Sequence, residues 1–79
     1  MFTFTETENS LRMIGQQIRR MRKVRGDTQK VFAYRIGVSV PTLHAMEMGS
    51  PVVSVGAFLN AVVALQRLDQ LEQVLRDDS

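Results

Sequence analysis

Side chains able to do covalent or metal chemistry are sparse in this chain: its 79 residues include one histidine, His44, and no cysteine. No disulfide or thiolate zinc site can therefore form, and one histidine without cysteine or acidic partners does not make a metal site. No nucleophile–base–orienter set, glycine-rich phosphate loop or metal-spaced group of acids can be assembled. The expectation is a protein that is not an enzyme and needs no cofactor. What the sequence does concentrate is positive charge. Eight of the ten basic residues fall between Arg12 and Arg35 (Arg12, Arg19, Arg20, Arg22, Lys23, Arg25, Lys30 and Arg35), and Asp27 is the only acid in that span. The net charge of +2 says little, but this clustering is the footprint of a surface that meets phosphates. A solvated helix face is the blander reading of the same run.

The elements that must position these groups read as short helices. Ser10 is a good N-cap, and Leu11, Ile14, Ile18 and Met21 then recur at three- and four-residue spacing along one apolar face. Gly26 is a natural stop. Thr28 caps a second helix carrying Val31, Phe32 and Ile36, and Gly37 ends it. Ser39 caps a third, with Pro41 in its first turn where the missing N–H has no helical partner. Leu43 and Met46 face inward and Gly49 stops that helix. Ser54 caps a fourth helix with Phe58, Ala61, Val62 and Leu65, and Asp69 caps a fifth with Leu71, Val74 and Leu75. The predicted architecture is all-α: a single compact five-helix domain over residues 10–76, a flexible or strand-like arm over 1–9 suggested by Phe2 and Phe4, and a frayed tail over 77–79. No targeting segment is evident. The apolar-rich stretch 51–65 falls short of the roughly 20 residues of a membrane span, so a soluble, cytoplasmic protein is expected.

The most informative stretch is Gln29–Met48, QKVFAYRIGVSVPTLHAMEM. Two helices are separated by the turn Gly37-Val38-Ser39. Ala33 is small where the following helix must cross closely, and Gly37 admits a positive φ at the corner. Phe32, Ile36, Val38, Leu43 and Met46 supply a shared apolar contact. Such a pair is the DNA-binding helix-turn-helix, whose second helix enters the major groove.

Over residues 11–66 the sequence resembles the lambda-repressor-like, Xre-type domains. The resemblance runs through Ile18-Arg19 with Arg22, Thr28-Gln29, Phe32-Ala33, Gly37-Val38-Ser39, Pro41-Thr42-Leu43, Met46-Glu47 and Gly49. The continuation Pro51–Leu59, PVVSVGAFL, is similar to the HipB-like antitoxin branch. The resemblance implies Thr28, Gln29 and Lys30 near DNA phosphates, and Ser39, Val40, Pro41, Thr42, His44 and Ala45 on the groove-facing surface. It also implies a structural ion pair between Arg22 and Glu47. In physical terms, helix N-termini offer unpaired N–H groups and positive dipole ends to anions. The departures are informative too. From Val38 to Met48 there is no Arg, Lys, Gln or Asn, so bidentate reading of guanine or adenine is not available from this helix. Thr42 and His44 are its hydrogen-bonding readers. Asp27 replaces the apolar residue that usually staples the start of the second helix.

Tyr34, the one tyrosine, is expected to be a partly exposed packing residue; the methionines are expected mostly in the core, with Met48 exposed. The expected partners are double-stranded DNA, a second copy of the chain joined mainly through the fifth helix, and a cognate toxin if the chain is an antitoxin. The rival to a DNA-binding regulator is a protein-interaction module that binds a toxin or sister subunit through the acidic end (Asp69, Glu72, Asp77, Asp78) and the apolar C-terminal helices.

Overall fold

The computed structural model describes residues 4–76, which form five helices and no strand. In chain order these are α1 (Phe4–Val24), α2 (Gln29–Ile36), α3 (Val40–Glu47), α4 (Val55–Ala64) and α5 (Leu68–Val74). None is long and apolar enough to cross a membrane. Ile18, Phe32, Ala33, Ile36, Leu43, Met46, Ala61 and Leu65 share one buried cluster, with Phe32 and Leu43 fully enclosed. Residues from four helices thus converge behind the α2–α3 pair. α5 contributes no buried residue.

Four helices end in the same way. The residue after the last turn takes a positive φ, and the next N–H reaches back five residues: Asp27 to Arg22 C=O, Val38 to Ala33, Ser50 to Ala45 and Arg67 to Val62. Glycine serves three of these corners, at negligible steric cost. The fourth is Gln66, at φ 60°, where a side chain must tolerate the left-handed conformation.

Two starts differ from expectation. α1 begins at Phe4, so Ser10 lies inside the helix on an exposed face rather than at its cap. An alternation of two phenylalanines is too short to specify a strand, and among the described residues there is no strand for it to pair with. Extending an existing helix adds one hydrogen bond per residue without a new nucleation cost. Glu6 suits the positive end of α1, and Arg12 donates to Asn9 Oδ1 one turn back. Residues 1–3, including Phe2, and the tail 77–79 lie outside the described residues. α5 starts after Arg67 with no side-chain cap, and Asp69 sits within its first turn instead of capping it. There the carboxylate still faces the favourable end of the dipole.

Two glycines allow α1 to lie directly on α3. A Cβ at Gly15 would come within 2.5 Å of the Glu47 carbonyl oxygen and 2.7 Å of that of Met46. A Cβ at Gly49 would meet the Arg12 backbone at 2.7 Å. Backbone touches backbone at both places. The 3.6-residue apolar pattern of α1 gave no sign of this, because a glycine contributes nothing to such a pattern.

Candidate nucleic-acid interface

α2 and α3 are held in place by polar ties as well as by the core. Arg22 on α1 and Glu47 at the end of α3 are the buried charged residues of the described chain, and they pair with each other. Arg22 Nε donates to Glu47 Oε2 at 2.6 Å and Nη2 donates to Oε1 at 3.1 Å, a two-point contact matched to the planar guanidinium. Arg22 Nη1 donates to the Asp27 carbonyl at 2.8 Å, and Gln29 Nε2 donates to Glu47 Oε1 at 3.1 Å. One arginine thus joins α1, the turn before α2 and the end of α3. On the far side, Asn60 Nδ2 donates to the Ile36 carbonyl at 3.0 Å and Arg25 Nη1 donates to the Ala64 carbonyl at 2.7 Å, which ties α4 to the same unit.

Asp27 stands where the resemblance implies an apolar staple, and its contacts there are ionic. Its Oδ2 is buried and lies 3.2 Å from Arg35 Nε and 3.6 Å from Arg25 Nε, although neither arginine meets it in hydrogen-bond geometry. The acid therefore bridges the end of α1 and the last turn of α2. Its place in a basic stretch was visible in the sequence, but its two partners were not.

Ser39, Val40, Pro41 and His44 are exposed, and Thr42 and Ala45 are half-buried. Thr28 and Lys30 are exposed and Gln29 is half-buried, with one amide N–H already committed to Glu47. The structure therefore gives Gln29 a role in the scaffold in addition to the phosphate contact expected of it. Tyr34 is 88% exposed and packs against little, in contrast to the expected packing role. A side chain at its place on α2 points away from the cluster formed by Phe32, Ala33 and Ile36. Met48 is exposed, beside His44.

The two helix starts are not equivalent. At α2, Thr28 Oγ1 accepts from the Val31 N–H at 3.2 Å, leaving the Gln29 and Lys30 amides at the positive end of the helix. At α3, Ser39 Oγ accepts from the Thr42 N–H at 3.2 Å, and Pro41 has no N–H to offer. Val40 is left as the one open amide there. Anion binding through backbone N–H groups is thus better provided at α2. The Ser39 hydroxyl donates to Thr42 Oγ1 at 2.9 Å, so the Thr42 hydroxyl proton is free to turn outward as a donor.

A short left-handed corner, two capped helices of equal length and a shared core behind them constitute a helix-turn-helix. A family model described as a helix-turn-helix domain matches residues 14–75. The chain belongs to the helix-turn-helix domain family. No curated protein and no solved structure matches it. The matched span of the helix-turn-helix domain begins inside α1 and ends just past α5, so it takes in Arg22, Glu47 and the whole α2–α3 unit.

The site also contains residues of the basic cluster, and a glutamine, that the sequence did not place beside α2 and α3. Arg12, Gln16 and Arg19 line a groove of about 660 Å³ together with Thr28, Gln29, His44 and Met48, with Arg22 and Glu47 at its floor. The signal was present as an i, i+4, i+7 polar row on α1, but its neighbours depend on the α1–α3 packing.

Proposed function

We propose that this helix-turn-helix domain is a sequence-specific DNA-binding transcriptional regulator, a repressor, that seats α3 in the major groove and rests the start of α2 on the phosphate backbone. The observation that carries this reading is the buried Arg22–Glu47–Gln29 cluster. It holds an outward-facing α3, with His44, Thr42 and Val40 accessible, at a fixed position relative to the open amides of α2. Basic charge concentrated on α1 and α2 supports an anionic partner. The Pro51–Leu59 run supports the HipB-like branch and with it an antitoxin role.

With no Arg, Lys, Gln or Asn on α3, direct reading rests on Thr42 and His44, and apolar contact with thymine methyls falls to Val40, Pro41 and Ala45. The remaining preference comes from DNA shape. A second copy of the chain joins through α5, where Val74 and the Leu75 that follows the helix are each 78% exposed. Such a two-fold dimer reads half-sites about one helical turn, roughly 34 Å, apart. The same exposed residues favour the rival reading, an interaction module for a sister subunit or toxin.

Selection of bound fragments from random duplex DNA tests the proposal. Wild type is expected to enrich a pseudo-palindromic motif. Thr42→Ala and His44→Ala are each expected to flatten it at one or two positions, at a cost of about 1–3 kcal/mol per lost base contact. Failure of wild type to retain any duplex at low salt overturns the DNA-binding reading and leaves the interaction module.

A further inference from the structure

The recognition helix lacks cationic side chains, and α3 begins with few open amides, so the cations that fix a duplex must come from elsewhere. α1 supplies them on the face that adjoins α3. Arg12, Gln16 and Arg19 stand at i, i+4 and i+7 and share one face of the helix. That face lines the groove containing His44 and Met48 of α3 and Thr28 and Gln29 at the start of α2. At its floor Arg22 and Glu47 neutralise each other. Arg12 and Arg19 remain as exposed cations, and among the described residues no carboxylate pairs with either. The Arg12 side chain donates to the neutral Asn9 amide oxygen.

The row is also held rigidly. Gly15 lies between Arg12 and Arg19, where even one added carbon would clash with the Met46 and Glu47 carbonyls, as would one at Gly49 with the backbone of Arg12. The spacing between the α1 row and the outward side chains of α3 is therefore set by backbone contact and not by flexible side chains. A rigid pair of arginines beside a groove-entering helix matches the geometry of phosphate clamping, in which contacts fix register without reading sequence.

We propose that Arg12 and Arg19 of α1 form a second phosphate-binding row for duplex DNA, acting alongside the start of α2. The proposal rests on the DNA-binding reading given above. Arg20, one position on, lies about 100° further round α1, where it lines a different, apolar groove with Met21 and Leu71. It is thus a control of equal charge on the same helix.

The test is a salt titration of binding to a random-sequence duplex by wild type, Arg12→Gln/Arg19→Gln and Arg20→Gln, paired with thermal melting of each and with fragment selection. Each phosphate contact contributes about one to the slope of log affinity against log salt. The double variant is expected to melt like wild type, to lose about two from that slope, and to select an unchanged motif; Arg20→Gln is expected to keep the wild-type slope. A double variant whose slope equals that of Arg20→Gln overturns the row while leaving the DNA-binding reading intact. An altered motif with an unchanged slope also overturns it, because the arginines would then read bases. If wild type itself binds no duplex at low salt, the row and the reading on which it rests both fall.

Discussion

The α1–α3 unit and the α4–α5 end are built to different standards. In the first, every helix start or stop between Gly26 and Gly49 is satisfied by a cap or a left-handed corner. Two backbones touch at Gly15, and a buried, hydrogen-bonded ion pair joins three elements. In the second, α4 ends on a left-handed glutamine. α5 has no side-chain cap and buries none of its residues, and two large apolar side chains at its end face solvent. A surface that must present side chains in fixed register needs the first kind of construction. A surface completed by another molecule tolerates the second. The comparison therefore sets the face proposed to read DNA, at α2–α3, apart from the face proposed for assembly, at α5.

The sharpest way to break the contrast is at the ion pair. Arg22→Met or Glu47→Leu alone strands a buried charge and is expected to cost about 3–5 kcal/mol, read by chemical denaturation. The double variant is expected to recover much of that loss, because the two apolar side chains leave no charge buried. If both single variants melt like wild type, the pair does not hold α3. Gly15→Ala comes next. The added methyl group meets two backbone carbonyls, which cannot swing aside as a side chain would, and about 1–3 kcal/mol should be lost. An unchanged melting temperature would show that α1 and α3 are not in backbone contact.

Smaller effects are expected at the other end. Gln66→Gly relieves the left-handed strain at the end of α4 and should raise stability by up to about 1 kcal/mol. A loss of stability would mean that the glutamine side chain supports the corner. Val74→Ser with Leu75→Ser should change monomer unfolding by no more than about 0.5 kcal/mol, since neither residue is packed. In sedimentation the same variant should shift a wild-type dimer towards monomer. A wild-type chain that sediments as a monomer at high concentration, free and on DNA, removes the assembly role of α5.

The helix-turn-helix was legible in the sequence because its signals are local. Thr28 and Ser39 cap, Gly37 turns, and Phe32, Ile36, Leu43 and Met46 repeat at helical spacing. The starts of α1 and α5 were not legible. Ser10 and Asp69 are good cap residues by type, but a helix already in progress runs through one, and the corner at Gln66 starts the other helix earlier. The Arg12–Gln16–Arg19 row escaped for a different reason. Its neighbours are decided by the close approach at Gly15 and Gly49, a tertiary contact without a periodic signature. Tyr34 is a different case, since residue type suggested packing while helix phase, a local signal, placed it in solvent.

The division of labour between the two faces is tested most directly by following the backbone amide resonances of the full chain as duplex DNA is added at low salt. Shifts are expected to concentrate at 28–30, at 39–45 and along the Arg12–Arg19 face of α1, with the amides of α5 moving little under conditions that hold the oligomeric state constant. Shifts centred on α4 and α5 with α3 silent, or no shifts anywhere, would contradict it.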